Sequence, residues 1–218
     1  MLYYWQKIMD HNKAKGWPGS QGGFLFLGNQ LTLDLLNTRP ALTGKPTELL
    51  TDFRTLLQWF QATGLLSHSE AASLQKQWDR SARADEILRT IRALRETLRG
   101  QVLRWESGGT IQPAVVRQLN VLMARHPMRT RVVEQSGRLI TQTWFETREP
   151  EDLLAPLAQS AGELFSGFER TRVRKCAHCV GHFLDTSKKG TRRWCSMRLC
   201  GNRFKVATYA ARKRRLRS

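Results

Sequence analysis

Residues 172–203 read RVRKCAHCVGHFLDTSKKGTRRWCSMRLCGNR, and all four cysteines of the 218-residue chain fall inside this stretch. Cys176 and Cys179 are separated by two residues; after a gap of fifteen come Cys195 and Cys200, separated by four. Two close pairs joined by a spacer of this length form the pattern of a structural zinc site. Each short spacing bends into a knuckle that aims two thiolates at one ion, and the spacer lets the knuckles meet in a tetrahedron. Disulfides, redox dithiols and unrelated core cysteines draw on the same residues. Met1 to Asp10 carries no apolar run of signal-peptide length, so the expected setting is cytoplasmic, where cysteines favour metal over disulfide. His178 and His182 lie close enough in sequence to replace a cysteine ligand. The four-cysteine set needs no substitution, which places both histidines at the surface or behind the ligands.

Working outward, the same window is the most basic part of the chain. The formal net charge is +18, from 36 Lys/Arg against 18 Asp/Glu. Residues 170–218 hold 16 Lys/Arg and one acid, Asp185, a balance of +15, whereas the first 169 residues hold 20 Lys/Arg and 17 acids, a balance of +3. A near-neutral body carrying a strongly basic module is the footprint of polyanion binding. No run of about 18 apolar residues exists, so no membrane span is expected.

The body reads as mostly helical. Phe24 to Asn37 is apolar and fits either strand or helix. Thr47 is a plausible N-cap for a helix bearing Leu49, Phe53, Leu56, Leu57 and Phe60 and stopping near Gly64. Ser67 and Glu70 form a capping box for a helix through Leu74 and Trp78. From Asp85 to Glu106, Ile87, Ile91, Leu94, Leu98, Val102 and Trp105 fall on one stripe, with Arg89, Arg92, Arg95 and Arg99 read as its solvated face. Pro113 opens a further helix that ends before Pro127. Arg131–Glu134 and Leu139–Phe145 flank Ser136-Gly137 as a β-hairpin, and Pro150 to Phe168 returns to helix. The expected fold class is α+β: residues 1–22 a flexible N-terminal segment, 23–168 a mainly helical domain with a β-hairpin, and 170–218 a small treble-clef or ribbon-like zinc module ending in a basic helix.

Within the module, Phe183 is expected as the core of a unit too small to build a larger one. Lys188, Lys189, Arg192 and Arg193 lie on the spacer before Cys195, beside Trp194. Gly201 allows a tight turn and Asn202 is a candidate cap for a helix over 203–215. On that helix Phe204, Ala207, Ala210 and Ala211 share a face suited to close docking. Lys205, Thr208, Arg212 and Arg215 form a neighbouring stripe for phosphates.

The run Cys195-Ser196-Met197-Arg198-Leu199-Cys200-Gly201-Asn202-Arg203 resembles the CGNR zinc finger, named for its last four residues. Phe183-Leu184-Asp185-Thr186-Ser187, Arg192-Arg193-Trp194-Cys195 and Lys205 match the rest of that signature over about 172–215. One departure is the first cysteine pair, whose two intervening residues are fewer than the family often has. Residues from about 24 to 168 resemble the ABATE domain that usually precedes this finger, through Leu33-Asp34-Leu35-Leu36-Asn37-Thr38, Trp59 and Gly64-Leu65. The resemblance implies a bacterial, stress-linked transcription regulator.

The leading functional expectation is therefore a DNA-binding regulator with one structural Zn2+. Its candidate contacts are Lys188, Lys189, Arg192, Arg193, Arg203, Lys205, Arg212 and Arg215, and Arg198 is a candidate base reader. RNA binding through the same ribbon-like module, with stacking from Trp194, Phe204 or Tyr209, is the alternative. An interaction protein localised by its tail is a blander one. An enzyme is not expected: four cysteines close the metal shell, and no nucleophile elbow, phosphate loop or His-Glu-x-x-His occurs. Asp34, Asn37 and Thr38 are candidates for a small-molecule effector pocket, against the plainer reading that they cap a buried helix end. A homodimer would suit a two-fold DNA site, but no heptad marks one.

Overall fold

The computed structural model describes residues 20, 21, 23–40, 46–179 and 181–215. The aromatic group Tyr3, Tyr4 and Trp5, most of the 1–22 segment, Arg217 and the side chains of Ala211 and Arg215 lie outside the described residues. In chain order the elements are β1 (Ser20–Gln21), β2 (Phe24–Leu25), α1 (Leu31–Leu36), α2 (Phe53–Ala62), α3 (His68–Trp78), α4 (Ala82–Glu106) and α5 (Pro113–Arg125). Then follow β3 (Arg129–Gln135), β4 (Arg138–Trp144), α6 (Leu154–Gly167), β5 (Val173–Lys175), β6 (His182–Leu184) and α7 (Asn202–Arg215). Among the described residues the strands pair only as antiparallel two-stranded hairpins: β1 with β2, β3 with β4 and β5 with β6. No helix among the described residues is long and apolar enough to cross a membrane.

The chain divides into two compact units. One joins the described residues up to Leu49 with the described residues from Glu169 onward; the other is Leu50–Phe168. Residues 24–40 and 46–49, placed with the body by their sequence, thus pack with the finger segment.

The unit Leu50–Phe168 is helical because its apolar residues repeat at helical spacing and because α2, α3 and α4 each open on a side-chain cap. Asp52 accepts the Thr55 N–H at 2.7 Å while Thr55 Oγ1 accepts the Asp52 N–H at 3.0 Å, opening α2. This corrects the expected start at Thr47: a carboxylate five residues later meets the orphan N–H groups and the helix dipole better. The Thr47 N–H instead bonds Pro40 O at 2.8 Å. Ser67 and Glu70 form the expected capping box of α3. On α4, Ile87, Ile91, Leu94, Leu98 and Val102 are buried, and so is Arg95, 1% exposed and ion-paired with Glu96 at 2.9 Å. Arg95 does not belong to a solvated face, because it stands four residues after Ile91 and three before Leu98, on the apolar stripe itself. Arg92 also turns inward, its Nε donating to Leu50 O at 2.9 Å. The turn joining β3 and β4 has φ of 54° at Ser136 and 74° at Gly137, the left-handed pair that a two-residue hairpin turn requires.

In the other unit, β1 and β2 lead through Gly28 and Asn29 into α1, all six of whose residues are buried. Gln30 caps this helix, accepting the Leu33 N–H at 3.1 Å. The finger core is Phe183 with Cys176, Cys195, Leu199 and Cys200, and Leu27 from before α1 packs against it with Cys179 and Trp194.

Candidate metal centre and nucleic-acid interface

The first knuckle follows β5. Cys176 donates its N–H to Gly181 O at 2.8 Å, closing the turn that carries Cys179, and the Ala177 N–H reaches Arg193 O at 3.0 Å. The second knuckle is a wide helical turn over Met197–Gly201. Ser196 accepts the Leu199 N–H on its side chain at 3.3 Å, and its carbonyl accepts the Cys200 N–H at 2.9 Å. These turns bring all four Sγ atoms within 4.8 Å of one another. Cys179 Sγ lies 3.6 Å and Cys200 Sγ 3.5 Å from Cys195 Sγ. Zinc–sulfur bonds of about 2.3 Å in a tetrahedron demand sulfur–sulfur edges of about 3.8 Å, so the set fits the ion. The same distances are far beyond a disulfide bond. Cys176, Cys195 and Cys200 are buried and Cys179 is half-buried.

Sulfurs packed this closely cannot all ionise unaided. The Cys176 and Cys179 thiols push Cys195 far above the usual thiol range, and burial pushes Cys200 up to about 12. A divalent cation removes that penalty and leaves the thiols deprotonated. Four sulfurs complete the shell without a histidine: His178 is exposed, and His182 is buried on β6.

The spacer between the knuckles is organised around Asp185. This carboxylate, 2% exposed, accepts the Ser187 N–H at 3.0 Å, the Ser187 hydroxyl at 2.6 Å and the Arg192 N–H at 2.8 Å. Burial alone would raise its pKa; these hydrogen bonds outweigh burial and hold it below the usual carboxylate range. Three arginines staple the same loop. Arg172 donates to Ser187 O at 2.5 Å and Arg174 to Gly190 O at 2.6 Å. Arg192 donates to Cys195 O and lies 5.1 Å from the Phe183 ring centre. Arg192, a candidate phosphate contact, is half-buried and helps to build the loop.

Lys188, Lys189, Arg193, Arg198, Arg203, Lys205 and Arg212 are exposed. Arg193 sits 5.2 Å from the Trp194 ring centre and 6.0 Å from that of Phe204. Trp194 is core, half-buried, with its indole N–H buried and without a hydrogen-bond partner among the described residues. Among the described side chains, the small-residue face of α7 does not show the expected close docking. Ala207 is exposed and Phe204 is 37% exposed; Ala210 is half-buried. A 14-residue helix is about 21 Å long, and its rings meet the finger at the first turn, where Phe204 lies 5.9 Å from Trp194. Asn202 is the first residue of that helix rather than its cap, since the chain enters α7 straight from the preceding turn.

Residues 29–167, more than half the chain, match the ABATE family, described as a putative stress-induced transcription regulator. The chain belongs to the ABATE family. Residues 172–213 match the CGNR zinc finger, and with the four converging sulfurs this establishes a single structural zinc site. No curated protein matches the chain.

The ABATE segment begins inside the zinc-bearing unit, and its Leu33–Thr38 run is tied to the finger. Asp34 accepts the Gly28 N–H at 2.7 Å, and burial pushes its carboxyl up to about 8. Asn37 donates its Nδ2–H to His182 O at 2.9 Å and accepts the His182 N–H at 3.0 Å. Thr38 donates to Leu35 O at 2.7 Å. All three candidates for an effector pocket are thus buried and engaged in bonds within the protein. The helix-end reading describes Thr38 and Asn37, whose N–H caps α1 on Leu33 O at 3.0 Å. The clamp made by Asn37 was missed; the available signal was an amide within an apolar run, which says that a partner is needed but not which one. Gly28 and Asn29 were missed as well. The Leu184 N–H donates to Gly28 O at 2.7 Å, and Asn29 Nδ2 donates to Leu184 O at 3.0 Å.

Proposed function

We propose that this ABATE protein is a zinc-dependent DNA-binding transcription regulator whose finger grips duplex phosphates through its exposed cations. The observation that carries the reading is the state of Asp185. It is the one acid of residues 170–218, and it is buried and committed to Ser187 and Arg192. No acid of the segment is left to neutralise Lys188, Lys189, Arg193, Arg198, Lys205 or Arg212 at the surface. Zinc supplies the fold that presents them. Arg203 is assigned to the phosphates and Arg198 to base reading, since an arginine fork suits guanine. The helical unit Leu50–Phe168 is assigned the role of sensor or dimerisation body. On this reading the protein is not an enzyme, because a closed four-sulfur shell offers no open coordination position.

RNA is the competing ligand. Trp194, held against the core, is not free to stack on bases, which favours duplex DNA; the exposed Tyr209 speaks for RNA. The test is a titration of zinc-loaded protein against duplex DNA and structured RNA pools across a salt series, with and without chelator. If about eight cations each meet a phosphate, log affinity falls with log salt at a slope of about −7. The expected result is enrichment of a duplex motif that is lost on chelation. Preferential enrichment of RNA would transfer the reading to RNA, and a slope near zero would remove the electrostatic model.

A further inference from the structure

We propose that Asn37 is a positioning residue of the zinc site, holding the Cys176–Cys179 knuckle from a point outside the finger sequence. The β5–β6 ladder uses the backbone groups on one edge of β6. Asp185 N–H bonds Arg172 O at 2.7 Å and Cys176 N–H bonds Gly181 O at 2.8 Å. With Arg174 opposite Phe183, alternation in an antiparallel pair turns the backbone groups of His182 and Leu184 away from β5. Those outward groups are the ones that the N-terminal segment satisfies. Gly28 and Asn29 hold Leu184, and the Asn37 carboxamide brackets both backbone groups of His182, 145 positions downstream.

Of these ties, Asn37 is the one beside the metal ligands. Gly181, next to His182, supplies the carbonyl that closes the Cys176 turn. A Cβ built on Gly181 would lie 2.9 Å from Asn37 Oδ1 and 3.5 Å from Cys179 Sγ, so carboxamide, glycine backbone and ligand sulfur are in packed succession. A shift of the carboxamide moves the 181–182 backbone, and that backbone sets both the Cys176 N–H anchor and the room around Cys179. The beginning of the ABATE segment therefore has a direct mechanical hold on the ion.

The experiment uses the full-length zinc-loaded protein, with release into excess chromophoric chelator as the first readout and the absorption bands of the Co2+-substituted form as the second. Asn37→Asp keeps the size of the side chain but sets a carboxylate oxygen against His182 O. Gly181→Ala drives a methyl group toward Asn37 Oδ1 and disturbs the same contact from the other side. Outer-sphere partners of metal ligands are worth about 10–100-fold in metal affinity. The expected result for both variants is one zinc per chain, release accelerated on that order, and shifted Co2+ bands. Leu35→Ala, in the same helix and fully buried, leaves the clamp in place and is expected to lower stability without matching that acceleration. Parental release and Co2+ bands in both variants would overturn the proposal, as would equal acceleration in Leu35→Ala. If Asn37→Asp fails to fold by circular dichroism, Gly181→Ala decides by the same two readouts. Neither readout involves a nucleic acid, so the outcome is independent of the DNA-binding reading.

Discussion

Replacing Asp185 by asparagine separates two accounts of the finger that a charge count cannot tell apart. The substitution raises the formal balance of residues 170–218 from +15 to +16, and a simple polycation would then bind DNA more tightly. The structure requires the reverse. Asparagine keeps one acceptor oxygen for Ser187 but turns an amide donor toward the Arg192 N–H, now 2.8 Å from the carboxylate. Losing a hydrogen bond to a charged group costs about 1.5–3 kcal/mol, and a stranded donor costs a further 1–3 kcal/mol or so. Ser187 and Arg192 are half-buried, so water relieves part of this and a net loss of about 3 kcal/mol is expected. The loop carrying Lys188 and Lys189 then loses its fixed path, and duplex affinity is expected to fall about tenfold at constant salt. The assays are urea denaturation of the zinc-loaded protein, followed by zinc release, and fluorescence anisotropy with a DNA duplex. Unchanged stability together with tighter binding would refute the reasoning. The pH dependence carries the same information. Asp185 has a folded pKa below its unfolded value, so its contribution is present above the unfolded value and lost as pH falls through the folded one. The asparagine variant should lack that acid limb.

Cys200→Ser should abolish zinc binding, measured by native mass spectrometry, and leave the Leu50–Phe168 helices intact by circular dichroism. Because α1 packs with the finger, hydrogen exchange should also accelerate across residues 31–37, an effect that a self-contained finger would not show. Asp34 has a folded pKa raised to about 8, so its contribution is complete below the unfolded value near 3.8 and declines as pH rises through that window to about 8. In chemical denaturation at saturating zinc, Asp34→Asn should flatten the decline relative to the parent between pH 5 and pH 8. Arg95→Ala should destabilise the helical unit by about 3 kcal/mol in urea denaturation, because it removes a large, fully buried side chain from the apolar stripe and leaves a cavity there.

The metal site was legible from spacing, since two knuckles of four thiolates impose their own local geometry wherever they occur. Helices α3, α4 and α5 were legible because capping residues and apolar periodicity act within a few turns. The errors came where a distant partner decides. Arg95 reads as solvent-facing by its charge, yet its place on the wheel is in the core, and the neighbouring Glu96 carboxylate is what makes that place tolerable. Arg192 belongs by residue type with the phosphate binders, yet the carbonyl of Cys195 and the ring of Phe183 claim it. The small face of α7 looked ready to dock, but docking depends on how far the finger extends beneath the helix.

Local chemistry in the sequence, then, determined the zinc ligands, the basic character of residues 170–218 and the helical nature of the body, because each follows from neighbours within a turn or a knuckle. Only the tertiary structure decided that residues 24–40 and 46–49 pack with the finger and that Asn37, Gly28 and Asn29 complete the outer edge of β6. A strand that pairs on one side must find donors and acceptors for the other. Nothing in the strand's own sequence says which part of the chain will supply them.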